Sequence, residues 1–217
     1  MTDHTEAHDH SHSHDHGHSH DHGDEQATGQ AIRAEALETI LIEQGILADT
    51  EVDNFIETWN HRIGPMIGAK VVARAWVDPE FKERLMTDAT AAVTEVGVNP
   101  GRLEHLEAVV NEPGVHNVVC CTLCSCYPWT ILGLPPGWYK SPEYRSRIVR
   151  EPRNVLAEMG LALDDDVAIN VWDSSAEVRY LVIPERPEGT EGFGEEQLIE
   201  LVTRDSMIGV GRPEQPA

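Results

Sequence analysis

The stretch Val167-Ala168-Ile169-Asn170-Val171-Trp172-Asp173-Ser174-Ser175-Ala176-Glu177-Val178-Arg179-Tyr180-Leu181-Val182-Ile183 carries apolar side chains at every second position in two runs, parted by a short polar break. Val167, Ile169 and Val171, then Val178, Tyr180 and Val182, put one face of each run into an apolar layer. That period of two predicts strands over 167–172 and 178–183. A third β-rich run spans 115–119. Outward from these, apolar residues recur at helical spacing over 69–76 and 79–96, joined at Asp78-Pro79, and helical stretches follow over 142–150, 154–159 and 195–204. Gly97 and Pro100-Gly101 punctuate the passage from helices to strands. Short strands of low parallel character with flanking helices predict an α+β fold. The expected architecture is a layered α-β-β-α domain, 67–217, with largely antiparallel strands.

Two further helices are predicted ahead of that domain. The first covers 31–47, with Ile32, Leu37, Ile40, Leu41 and Ile46 in phase and Gly45 near its end. The second follows Thr50, carries Val52, Phe55, Ile56 and Trp59, and is expected to stop at Pro65. Together they form an arm, 27–66, that packs on its own core or embraces a partner. Before it, residues 1–26 hold nine of the twelve histidines and seven acids, with no Lys or Arg. Lacking aliphatic anchors, this tract is expected to be a disordered tail. Its alternating His and Asp suit weak binding of Co, Ni or Zn, and equally suit a plain solvated tail.

The net charge of -22 over 217 residues falls only to -15 without the tract. So acidic a chain is a poor partner for nucleic acid or an anionic membrane, because neutralising phosphates needs clustered Lys and Arg. No apolar run approaches the roughly 18 residues of a spanning helix. The N-terminus has no apolar core of a secretory signal. All four cysteines, Cys120, Cys121, Cys124 and Cys126, lie in one seven-residue window. Bridges inside it would close almost no loop, so the window reads as a metal or redox site in a cytoplasmic protein rather than a staple.

Ordinary explanations of that window fit badly. A structural zinc site usually needs two separated ligand pairs, and an iron–sulfur cluster needs wider spacing. A redox pair accounts for Cys121 and Cys124 but leaves Cys126 without a role. Inert burial is the usual fate of one cysteine, not of four in a row. A claw fits better. Cys121 brings its sulfur from below, and Cys124 and Cys126 flank Ser125 in one plane. The amide nitrogens of Ser125 and Cys126 complete adjoining chelate rings. Such a set demands a trivalent first-row ion and leaves one octahedral position open.

The motif Cys121-Thr122-Leu123-Cys124-Ser125-Cys126 resembles the metal claw of the nitrile hydratase α subunit, cobalt type. The likeness extends to Tyr127-Pro128-Trp129, to Leu132-Gly133-Leu134-Pro135-Pro136, to Trp138-Tyr139-Lys140 and to Arg150-Glu151-Pro152-Arg153. It also takes in Gly68-Ala69-Lys70-Val71-Val72-Ala73 upstream and Arg186-Pro187 with Gly189-Thr190-Glu191-Gly192 downstream. The resemblance implies that Cys121, Cys124, Ser125 and Cys126 hold one non-corrin Co(III), rather than iron(III), since Thr122 matches the cobalt branch. It implies that Cys124 is a sulfinate and Cys126 a sulfenate. Cys126 and Ser125 then act in catalysis: a nitrile bound at the open position is attacked by the sulfenate oxygen, or by a water it activates, and becomes an amide.

Further residues carry over. Trp129 resembles the family's pocket tryptophan, or is a plain core aromatic. Asp173, Glu177, Arg179 and Lys140 match polar residues that surround the ligands, although spacing alone suits ordinary surface pairs. Cys120 stands where the family usually has Val and is expected to fill a Val-sized gap. Arg102 falls where many members have Gln. His61, His105 and His116 are assigned as structural, not as ligands. The implied partners are a β subunit, as αβ or α2β2, an activator that serves as metallochaperone during maturation, and a small nitrile substrate. No basic cluster in this chain is evident to pair with the claw oxyanions, so the second polypeptide is expected to supply arginines. Two rival readings are the claw-bearing subunit of thiocyanate hydrolase and a cobalt-binding or delivery protein.

Overall fold

The computed structural model describes residues 22–48, 50–58, 64–98, 105–124 and 126–216. The chain divides into two compact units, Met1–Val52 and Asp53–Ala217. In the first, α1 (His22–Glu43) begins well before the helix expected over 31–47. It closes on Gly45, whose φ of 68° is open to glycine alone without strain. The Ile46 N–H donates to the Leu41 carbonyl and the Gly45 N–H to that of Ile42, each at 2.9 Å. This pairing satisfies the last carbonyls of the helix. Ile32, Leu37 and Ile40 are exposed. Of the His-rich tract, 1–21 lie outside the described residues, while 22–26 form the start of α1.

The helix α2 (Glu51–Thr58) follows Thr50 as expected; Trp59 and His61 lie outside the described residues. Pro65 does not stop a helix. It sits in the first turn of α3 (Gly64–Val77), where its missing N–H has no acceptor to lose. Nor is 79–96 one helix. Asp78 caps α4 (Pro79–Thr87), accepting from the Phe81 N–H at 2.9 Å. Asp88 then ends α4 with its own N–H and caps α5 (Ala89–Ala92) with its carboxylate. A short acceptor side chain offers the backbone this alternative to a continuing helix. A 3₁₀ turn, Val93–Val96, ends at Gly97.

Four strands follow: β1 (His105–Val110), β2 (Val115–Cys120), β3 (Ala168–Asp173) and β4 (Val178–Ile183). The expected antiparallel arrangement is overturned. β1 pairs with β4 in parallel, from His105 against Val178 to Val110 against Ile183. β2 pairs with β3 in parallel, from Val115 against Ala168 to Cys120 against Asp173. β3 and β4 are neighbours in sequence yet belong to different two-stranded sheets. Parallel pairs need a long crossover, and 121–167 supplies one for β2 and β3. That segment carries α6 (Trp129–Leu132), a 3₁₀ turn at Gly137–Lys140, α7 (Pro142–Arg147) and α8 (Pro152–Glu158). The run expected as one helix over 195–204 is two, α9 (Glu195–Ile199) and α10 (Arg204–Ile208).

Alternation along the strands sorts side chains onto two faces. Leu106, Ala108, Val118, Cys120, Leu181 and Ile183 enter the main core with the helices. Val109, Val119 and Val182 face the other way, against Trp172 and Tyr180. Cys120 is fully buried, so the last residue of β2 is anchored in the core and the chain leaves the strand at Cys121.

Candidate metal centre

The strand end sets the position of the loop. Cys121, directly after β2, is fully buried, Cys124 is exposed and Cys126 is buried at 8% exposure. Their sulfurs converge within 4.8 Å of one another. Cys121 Sγ lies 3.4 Å from Cys124 Sγ, which lies 2.9 Å from Cys126 Sγ. The Cys124 N–H donates to Cys121 Sγ at 3.3 Å, closing the turn. Among the described residues no other three His, Cys, Asp or Glu side chains converge in this way. No disulfide joins any of the four cysteines. The donor set, soft sulfurs from one short loop, fits a soft or borderline metal ion. Ser125 lies outside the described residues.

Several side chains hold the loop. The Asp173 carboxylate accepts from the Thr122 N–H at 2.8 Å and from the Thr122 hydroxyl at 2.5 Å. The Arg145 guanidinium donates to the carbonyls of Cys121 (3.0 Å) and Thr122 (2.7 Å). The Tyr139 hydroxyl donates to the Cys126 carbonyl at 2.9 Å, and the Tyr144 hydroxyl to that of Val119 at 2.8 Å. Tyr139 is itself wedged edge-on against Tyr127, with ring centroids 5.0 Å apart. Burial pushes the Cys126 thiol up to about 12, and its contact with the Cys124 sulfur adds to the rise; the Arg179 charge works against it. Burial likewise raises Cys120 to about 12. Cys126 so held is protonated at neutral pH, and a metal ion must displace its proton to bind.

Cys121, Cys124 and Cys126 therefore come together as their spacing indicates, and Asp173 joins them through Thr122. Trp129 opens α6 and is 38% exposed, two residues past the buried Tyr127. Arg179 is buried and donates to the Ser175 carbonyl. Glu177 is exposed in the β3–β4 connection, and Lys140 is exposed at the end of its 3₁₀ turn. The side chain that reaches the loop from that turn is its neighbour, Tyr139. Two arginines of this chain, Arg145 and Arg179, do lie beside the loop, and both bond to backbone carbonyls. Arg145 and Tyr144 carry no sequence signal as site residues, since a helical Arg and a buried Tyr are common everywhere. Arg102 is outside the described residues.

His116 is held as a structural group, and His61 lies outside the described residues. His116 is buried, with Nδ1 3.1 Å from Asn111 Nδ2 and Nε2 2.7 Å from the Gly209 carbonyl. Asn111 Oδ1 already accepts from the Asn117 N–H, so its amide donates to Nδ1. The ring is thereby a neutral tautomer with its proton on Nε2. Burial, the larger effect, holds its pKa below the ordinary 6.5, and the Gly209 carbonyl works against that.

Three cysteines converging at the end of a parallel-paired strand, in a domain of mixed helices and strands, form a cluster compatible with the metal claw of a cysteine-claw protein. The family description "Nitrile hydratase, alpha chain" matches residues 28–211. The low-molecular weight cobalt-containing nitrile hydratase subunit alpha of Rhodococcus rhodochrous is 56% identical over 86% of this chain and 90% of its own length. The thiocyanate hydrolase subunit gamma of Thiobacillus thioparus is 44% identical over 87% of this chain and 82% of its own. A double mutant of the Fe-type nitrile hydratase from Comamonas testosteroni Ni1 superimposes with a TM-score of 0.73 at 44% identity, covering 87% of this chain and 92% of that one. The chain belongs to the nitrile hydratase α-chain family, enzymes that add water across a nitrile to give an amide.

Proposed function

We propose that this chain is the metal-bearing subunit of a nitrile hydratase that holds a non-corrin Co(III) through Cys121, Cys124 and Cys126 and the amide nitrogens of Ser125 and Cys126. The convergence of the three sulfurs within 4.8 Å on one short loop carries this reading. Cobalt is favoured because the 56% identical relative is named cobalt-containing, while the Fe-type neighbour is 44% identical. When bound, the ion supplies the Lewis acidity that polarises the nitrile carbon. The rest falls to this chain's residues. Cys124 is carried as a sulfinate and Cys126 as a sulfenate, their oxygens introduced by an external oxidant such as dioxygen during maturation, and the Cys126 oxygen, or a water it activates, is the nucleophile. Ser125 assists in catalysis beside it. One water is consumed, its oxygen going to the nitrile carbon and its two hydrogens to nitrogen; both C–N π bonds are lost and the C–N σ bond is kept, so the product is the amide.

Around the loop, Asp173 and Arg179 shape the polar surroundings, with Glu177 and Lys140 at their edge, and the half-open Trp129 ring lines the substrate's approach. The arm 27–66, with Ile32, Leu37 and Ile40 exposed, embraces a β subunit in an αβ or α2β2 assembly, and an activator serves as metallochaperone. Cysteines without disulfides fit a cytoplasmic site, and among the described residues no helix is long and apolar enough to cross a membrane.

The test is co-purification of the chain with its partner, metal analysis and peptide mass. Cobalt at one per chain with three added oxygens across Cys124 and Cys126, and amide release from a simple nitrile, are expected. Unmodified thiols with no turnover would overturn the reading. The 44% identical thiocyanate hydrolase subunit motivates the second reading, and carbonyl sulfide release from thiocyanate would establish it instead.

A further inference from the structure

The chain around the claw has its carbonyls engaged one after another. The Val119 carbonyl accepts from Tyr144, that of Cys120 from the Ser174 N–H at 2.8 Å, and those of Cys121 and Thr122 both from Arg145. Successive carbonyls of a strand point to opposite sides. One planar fork can receive two neighbouring carbonyls only where the backbone has already turned out of strand geometry. Arg145 therefore grips the residue pair at which the chain changes direction, next to where the Cys121 sulfur comes within 3.4 Å of that of Cys124. Asp173 holds the opposite polar edge of the same residue, taking the Thr122 N–H while Arg145 takes the Thr122 carbonyl.

We infer that Arg145 is a positioning residue for the metal centre, fixing the Cys121–Thr122 turn before any ion binds. It touches carbonyls and no sulfur, so it acts through the loop and not on the reacting atoms. The helix that carries it is short and rigidly begun: the Ser141 hydroxyl accepts from the Tyr144 N–H at 3.1 Å, and Pro142 opens the first turn. The adjacent Tyr144 anchors Val119, so two consecutive residues of α7 hold β2 and its exit. Arginine suits the task where lysine does not, because a flat fork meets two acceptors at once and an ammonium meets them only as a point charge.

This inference rests on the proposed cobalt site for its meaning but not for its first measurement. In the full chain with its partner subunit, before cobalt is supplied, hydrogen exchange is followed at the amides of Thr122 and Cys124. Arg145→Gln is expected to exchange there about tenfold faster than the unsubstituted chain, with the amides of β1 and β4 unchanged and Arg145→Lys in between. Arg147→Gln, on the same helix but paired with Glu151 and Glu158, is expected to leave the loop as it was. After cobalt loading, Arg145→Gln is expected to retain several-fold less metal and to shift the sulfur-to-metal absorption. Unaltered loop exchange in Arg145→Gln, or exchange faster throughout the core, would overturn the inference. Faster loop exchange beside an unsubstituted chain that binds no cobalt would uphold Arg145 and refute the cobalt reading.

Discussion

Thr122 and Asp173, 51 residues apart in sequence, are joined twice, backbone N–H to Oδ1 and hydroxyl to Oδ2. Asp173 is the last residue of β3 and pairs in register with Cys120, the last of β2. The parallel pairing thus delivers a carboxylate to the first turn of the claw. Asp173→Asn keeps one acceptor and Asp173→Ala none. Cobalt per chain is expected to fall in that order, with Thr122→Val matching the loss of one bond. Full metal content in Asp173→Ala would show that the loop needs no such clamp.

Tyr139→Phe removes the donor to the buried Cys126 carbonyl while leaving the ring packed on Tyr127. An unmade buried hydrogen bond costs about 1–3 kcal/mol. For a chain of this length each kcal/mol moves Tm by about 2–4 °C. A thermal scan is expected to show a drop of that order, with a changed absorption of the loaded centre because the peptide following the last ligand is released. An unchanged Tm would mean that water replaces the hydroxyl.

Cys120→Val addresses the thiol that stands beside the claw without joining it. The side chain is fully buried in the core cluster with Leu106, Val118 and Leu181, and valine exceeds its volume by about one methyl group. Adding such a group to a packed core costs about 1–3 kcal/mol. Activity and cobalt content per folded chain are expected to stay unaltered, with Tm lower by several degrees. Loss of cobalt would assign Cys120 a place among the ligands.

How far the chain could be read beforehand follows from what each feature leaves in a sequence. The strand at 178–183 was readable to the residue, because burial on one face imposes a period of two. Its direction was not, since alternation is the same whichever way the partner runs, and the partner β1 lay beyond the expected elements. Asp88 hid a helix break because an aspartate inside a helical pattern looks like a solvated face until its carboxylate turns back to Ala91. The three sulfurs were readable because ligand chemistry fixes residue type and spacing together. Arg145 and Tyr139 were not, because the groups they serve are carbonyls, which every residue possesses.

His116 ties pH to stability. Its ring accepts from Asn111 and donates to the Gly209 carbonyl, an arrangement that needs the neutral form. Gly209 comes that close because it has no side chain: a Cβ there would stand 2.0 Å from the Asn117 carbonyl oxygen, and its φ is 88°. Burial lowers the folded pKa below the ordinary 6.5, so the unfolded chain binds the proton more readily than the folded one. By linkage, the full contribution is present above 6.5 and is lost as pH falls from there through the folded value. Thermal midpoints between pH 7.5 and 5 are expected to decline more steeply for the unsubstituted chain than for His116→Gln, which has no proton to gain. At pH 7.5 the variant is expected to be the less stable of the two, having lost at least one of two buried bonds, so the two curves converge as the pH falls. Parallel curves across that range would mean that His116 titrates alike in both states and that its burial does not govern acid stability.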